Sequence, residues 1–233
     1  MSSPVIAIDG PSGTGKGTLA VRLTAWSGWH LLDSGALYRV VGYRAQAQGV
    51  SLDDEARLAV VAGELPLEFR VTGESVRVVL DGHDVTDEIR SETAGSVASV
   101  VAAHPGVRAA LLTRQRGFCR PPGLVADGRD MGTVVFPAAA LKIFLTASPE
   151  VRAQRRYKQL KQKGIDVNLA RLSEDIAARD HRDEQREASP LHPASDAIIL
   201  DTTALDIAAV EESVKTLAQT RGLVRDDSRP PSI

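Results

Sequence analysis

The chain has 233 residues, 43% of them hydrophobic and 25% charged, with a formal net charge of −2 at pH 7. That length and balance suit one substantial core with appended lobes, and they give no global pull toward nucleic acid or an anionic membrane, so any phosphate binding must come from a local cluster. The single cysteine, Cys119, cannot close an internal disulfide, and no apolar run approaches the ~18 residues of a membrane span, so a cytoplasmic protein is expected.

Along the chain, Val5 to Ile8 form a short apolar run that stops at Asp9-Gly10, which predicts a buried strand entering a loop. From Gly15 the pattern turns helical: Leu19, Leu23 and Trp26 share a face, and Gly28 stands where such a helix ends. A strand follows at His30 to Leu32, then a helix from about Gly35. Over 63–87 the rhythm changes. Leu67, Phe69 and Val71 alternate with polar residues, Thr72-Gly73-Glu74 can turn, and Val76 to Leu80 make a second run before Asp81-Gly82, predicting a small antiparallel insert. Strands resume at Leu124 to Ala126, Leu141 to Leu145 and Ala197 to Leu200, with helical patterns between them. This alternation predicts an α/β fold, a parallel sheet flanked by helices. A last helix, with Ile207, Val210, Val214 and Leu217 on one face, closes the core, and 226–233 reads as a flexible tail with nothing to bury.

Gly10-Pro11-Ser12-Gly13-Thr14-Gly15-Lys16-Gly17-Thr18 nearly matches the phosphate-binding loop GxxxxGK[ST]. Glycines let backbone N–H groups curl round an anion, a helix start adds its positive end, and a lysine reaches the β- and γ-phosphates. Gly17 occupies the place of the usual hydroxyl, and Thr18 comes one residue late. The loop signals a nucleoside triphosphate and leaves the reaction open. A guanine-reading Asn-Lys-x-Asp is absent, since the only asparagine is Asn168, and the strand at Leu124 ends in Asp127-Gly128-Arg129-Asp130 instead of a paired Asp-Glu. Asp127 is a candidate to steer magnesium through water, or else simply caps its loop. Ser34 and Arg39 follow the second strand, and Arg129 and Asp130 leave a neighbouring one, so all four are expected at the carboxyl edge where open parallel sheets bind ligands. The segment from Arg152 to Arg186 holds seven arginines and three lysines against six acidic residues. Arg179, Asp183 and Arg186 share a helical face there, either as a solvated, ion-paired helix or as a lid that closes over a transferring phosphoryl group.

These blocks together resemble the bacterial-type cytidylate kinases, within the P-loop nucleoside monophosphate kinases. The likeness runs from Val5 to about Val214, and Asp127-Gly128-Arg129-Asp130-Met131-Gly132-Thr133 distinguishes it from adenylate kinases. The resemblance implies a P-loop NTPase-type core (1–62, 88–150 and 187–225), a monophosphate-binding insert (63–87) and a short helical lid (151–186), forming one kinase domain over 1–225. It implies transfer of the γ-phosphoryl of Mg-ATP to CMP or dCMP, with Gly10 to Thr18 holding ATP. Ser34, Arg108, Asp130 and Arg186 would face cytosine, Arg39 and Arg129 the CMP phosphate, and Ser99, Arg179 and Asp183 the ribose. Lys16, Arg129, Arg156 and Arg179 would surround the transferring group. Mg2+ would arrive with ATP and without a direct protein ligand, and the partners would be small molecules, with neither nucleic acid nor membrane, around a monomer. His181, Glu184 and Gln185 receive no role. A kinase for UMP, AMP or an acid such as shikimate, or an ATP-binding switch without transferase activity, are the competing expectations.

Overall fold

The computed structural model describes residues 3–73, 75–162 and 164–224; the tail expected over 226–233 lies outside them, as does Glu74 of the expected turn. The main sheet consists of β1 (Val5–Asp9), β2 (His30–Asp33), β6 (Leu124–Asp127), β7 (Leu141–Thr146) and β8 (Ile198–Asp201), in the order β2-β6-β1-β7-β8. Every neighbouring pair is parallel. The central strand is buried on both sides, which explains its uninterrupted apolar run. Its alternate residues serve opposite layers. Ile6 and Ile8 pack with Leu19 and Leu23 of α1 (Lys16–Ser27) and with Val210 and Val214 of α8 (Ile207–Thr220). Val5 and Ala7 face the other layer, where Leu37 of α2 (Ser34–Ala47), Leu58 of α3 (Glu55–Gly63), Val101 of α4 (Glu92–Val101) and Leu111 of α5 (Pro105–Gly117) meet.

The helix starts follow from their caps. The Asp33, Asp54, Ser91, Asn168 and Asp206 side chains each accept a backbone N–H at the head of a helix, so the only asparagine, Asn168, serves as the cap of α7 (Leu169–Gln185). His104 before α5 makes no such bond, and α1 starts from Gly15, which has no side chain to make one. Its amides point at the loop before it.

The predicted antiparallel insert is a sheet of β3 (Leu67–Thr72), β4 (Ser75–Leu80) and the short β5 (His83–Asp84). Leu67 pairs with Leu80, Phe69 with Val78 and Val71 with Val76, which puts the apolar residues on one face. That face packs on the body, with Phe69 and Phe118 ring centroids 5.4 Å apart. Past β7, α6 (Pro149–Gln162) and α7 form a hairpin with a small core of its own from Ala153, Leu160, Leu172 and Ile176. No single helix among the described residues is long and apolar enough to cross a membrane.

The register sets the functional edge. Ile8 and Asp33 are both level with Asp127, so β1, β2 and β6 end together at Asp9-Gly10, Asp33-Ser34 and Asp127-Gly128. The loops that leave these ends carry the residues singled out by the sequence.

Candidate active site

The loop after β1 is built on positive φ angles of 141° at Gly10, 80° at Gly13 and 96° at Gly15. At Gly10 a Cβ would lie 2.1 Å from the Leu145 carbonyl oxygen, so only glycine fits beside β7. Lys16 opens α1, and its buried Nζ bends back over the loop to donate to the Pro11 carbonyl at 2.7 Å and to Thr14 Oγ1 at 3.4 Å. Burial, then the charge of Arg129, pushes the Lys16 ammonium below its ordinary value, against the pull of Asp127. Burial likewise pushes the Asp127 carboxyl up, against the pull of Lys16. An incoming polyphosphate would supply the negative charge that restores a full ammonium.

Gly17, which departs from the generic motif, faces Asp127: a Cβ there would lie 3.4 Å from Asp127 Oδ2. A hydroxyl would reach further toward the carboxylate. The acid therefore occupies the side of the loop where other phosphate loops present Ser or Thr, while Thr18 is exposed on the next position. Behind the loop, the buried Arg152 donates to the Ser12 carbonyl at 3.0 Å and to Asp180 Oδ2 at 2.5 Å, tying the phosphate loop to both helices of the α6–α7 hairpin.

Beside the loop lies a second pocket. Ser34, Ser99, Arg108, Arg129, Asp130, Arg179, Asp183 and Arg186 all line it, together with Tyr38. The structure thus brings together eight of the nine positions implied for the acceptor, drawn from α2, α4, α5, the loop after β6, and α7. Asp130 and Arg108, both buried, form a direct ion pair, and the Arg108 guanidinium stacks 5.6 Å from the Tyr38 ring centroid. Arg129 donates to Asp183 Oδ2 at 3.1 Å and to Ser12 Oγ at 3.0 Å. Arg186 ends α7 and donates to the Ser189 carbonyl at 2.6 Å, with Asp183 at 4.0 Å.

The ninth position, Arg39, sits at the mouth. It donates to the Ile89 carbonyl at 2.7 Å, and a Cβ on Gly95 would fall 3.2 Å from its Nη2 and 3.5 Å from Nη1 of Arg179. Gly95 therefore lets two guanidiniums approach across α4. Burial, followed by Arg129, lowers the Arg179 guanidinium to about 10, and its buried Nε has no hydrogen-bond partner. Three cations, Arg39, Arg129 and Arg179, converge on one mouth, which is the electrostatic form of a phosphate site. Arg156 stands apart: it pairs with Glu92 at the start of α4 and does not line the pocket.

A nucleoside triphosphate loop beside an acceptor pocket with an anion-seeking mouth describes a phosphoryl transferase. The family model described as cytidylate kinase matches residues 6–220 of the chain. The chain belongs to the cytidylate kinase family. Curated proteins named cytidylate kinase are similar along nearly their whole length. That of Pseudomonas savastanoi pv. phaseolicola is 56% identical over 225 residues, covering 96% of this chain and 98% of its own. That of Aeromonas hydrophila is 55% identical over 217 residues, with 93% and 94% covered. That of Pseudomonas aeruginosa is 56% identical over 221 residues, with 94% and 96% covered.

In this member of the cytidylate kinase family several side chains outside the expected set support the pocket. Asp9 accepts the N–H groups of Met131 and Gly132, both at 2.8 Å, and so fastens the turn that carries Arg129 and Asp130 to the end of β1. Burial pushes the Asp9 carboxyl up to about 6 in spite of those two bonds. Arg182 Nε donates to Ser99 Oγ at 3.2 Å, linking α7 to α4, and Gln115 holds Ser34. Arg182 could have been suspected from its place beside Asp183. Gln115 carries no local mark.

Proposed function

We infer that the chain is an ATP-dependent kinase for CMP and dCMP, releasing ADP together with CDP or dCDP. The observation that carries this reading is the polarity of the acceptor pocket in a chain of the cytidylate kinase family: Asp130 can only accept and Arg108 can only donate. Cytosine presents an N4 amino donor beside N3 and O2 acceptors, and uracil reverses the first two.

In the transfer, a CMP phosphate oxygen bonds to the γ-phosphorus of ATP as the bond to the β-bridging oxygen breaks, and ADP leaves with that electron pair. The attacking phosphate has a second pKa near ~6 and is largely deprotonated at neutral pH, so no strong general base is needed. The barrier is one anion approaching another, which positioning and positive charge must overcome. Gly10 to Thr18 would cradle the ATP phosphates with Lys16 among them. Arg39 and Arg129 would hold the CMP phosphate, Ser99, Arg179 and Asp183 the ribose, and Ser34, Arg108, Asp130 and Arg186 the base. Arg156 would leave Glu92 and reach the transferring group as the α6–α7 hairpin closes and excludes water.

An ion carried in with the nucleotide fits the loop, where the buried Asp127 carboxylate faces Gly17. Mg2+ there would neutralise charge on the β- and γ-phosphates, with Asp127 meeting it through water. A monomer working on small molecules in the cytoplasm completes the proposal.

Coupled ADP release measured with CMP, dCMP, UMP, AMP, GMP and shikimate tests the reading. CMP and dCMP should be the best acceptors by at least tenfold, and a better acceptor elsewhere in the series would replace it.

A further inference from the structure

Ser34 opens α2 at the edge of the pocket, and its Oγ donates at 2.8 Å to Oε1 of Gln115, which lies 81 positions away on α5. Both side chains are buried, each 2% exposed. Gln115 faces inward on a helix whose next-door residues, Arg114 and Arg116, are charged. A serine hydroxyl has one proton and two lone pairs, and it can turn to suit either a donor or an acceptor. The bond to Gln115 uses the proton. Toward the pocket, which it lines together with Asp130, Ser34 then has only lone pairs to offer.

We propose that Gln115 is a positioning residue for acceptor choice: by taking the Ser34 proton it converts an adaptable hydroxyl into a fixed hydrogen-bond acceptor. The pocket then shows two acceptors, the Asp130 carboxylate and Ser34 Oγ, to the exocyclic group on C4 of a pyrimidine. An amino group has two protons and can satisfy both. A carbonyl oxygen satisfies neither. Without Gln115, Ser34 can turn its proton outward and donate to that carbonyl. The inference rests on the cytidylate reading given above and assigns part of its selectivity to a side chain that does not line the pocket.

The test is kcat/KM for CMP and for UMP in wild type, Gln115→Met, Ser34→Ala and the double variant. Gln115→Met should lower the CMP-to-UMP ratio about tenfold, the worth of one hydrogen bond, mostly through the acceptor KM and with the ATP KM unchanged. In the Ser34→Ala background it should change the ratio no further. If Gln115→Met slows both acceptors equally and leaves the ratio intact, Gln115 only packs, and the proposal is overturned. If that variant fails to fold, a crystal structure of the wild type with CMP decides. Ser34 Oγ should then lie within hydrogen-bond distance of both Gln115 and the cytosine N4. Contact with N3 or O2 instead would require Ser34 to donate there and would equally overturn it. A wild type that does not prefer CMP would sink the cytidylate reading itself, whereas a preference indifferent to Gln115 sinks only this role.

Discussion

Arg129 bonds Asp183 on α7 at 3.1 Å and Ser12 in the phosphate loop at 3.0 Å, so a single guanidinium bridges the loop and the pocket beside it. The planar fork makes this possible, because its Nε and Nη2 point to separate partners. The same group lies at the mouth where Arg39 and Arg179 converge, and it helps to lower the affinity of Lys16 for its proton.

Arg129→Lys keeps the charge and loses the fork. A compact ammonium cannot hold Ser12 and Asp183 at once, so kcat with CMP should fall by roughly 10²-fold or more, in the range seen for loss of one preorganised donor. The melting temperature should move little. Steady-state kinetics beside a thermal melt check this, and a near-normal kcat would remove Arg129 from phosphate alignment.

Asp130→Asn replaces an acceptor-only carboxylate with an amide that can turn either way, and it leaves the Arg108 charge buried without its counter-ion. Breaking a buried pair from one side costs about 3–5 kcal/mol of stability, less when the replacement can still accept. The acceptor side should suffer most: kcat/KM for CMP should drop far more than ATP affinity changes. Equal losses for both substrates would place Asp130 outside base recognition.

Much of this arrangement is legible in the chain because it is local. The strand, glycine turn and helix around Lys16 occupy one short run, and helical spacing alone gathers Arg179, Asp183 and Arg186. The shared edge of β1, β2 and β6 also follows, since parallel strands must end on the same side. Contacts between distant elements are another matter. Asp9 reads as a loop aspartate, yet its partners are amides at 131 and 132. Arg152 is one charge among many in a basic segment, whereas in the fold it lies buried against the phosphate loop. Arg156, one turn further along α6, extends past the loop toward α4 and finds Glu92 there.

The Asp9 carboxyl makes stability depend on pH in a direction opposite to that of most acids. Its value rises from an ordinary 3.8 to about 6 on folding. Below the lower value both states hold the proton. Between the two, the unfolded chain has released it and the folded chain has not, so the contribution of Asp9 to stability falls as pH climbs through this window. The loss amounts to about 3 kcal/mol at 1.36 kcal/mol per unit. Urea melts of wild type and Asp9→Asn from pH 4 to pH 7 should show the stability difference between them moving against the wild type by that order. A pH-independent difference would mean that the Met131 and Gly132 amides fully offset burial.

The Arg156 pairing with Glu92 predicts a split between binding and turnover. If Arg156 meets the phosphoryl group only after the hairpin closes, Arg156→Ala should reduce kcat at least tenfold while the KM for CMP changes less than about threefold. Glu92→Gln, which weakens the holding contact and leaves the arginine in place, should not reduce kcat. A matching loss in both variants would mark the pair as a fixed strut.

The α6–α7 hairpin encloses its own apolar cluster of Ala153, Leu160, Leu172 and Ile176. That cluster joins the two helices to each other apart from the main core, while Arg152 and Asp183 fasten them to Ser12 and Arg129. Exchanging the hairpin between related enzymes by cutting after β7 and before β8 would leave the apolar layers of the sheet in place, provided that the incoming hairpin keeps an arginine for Ser12 and a carboxylate for Arg129.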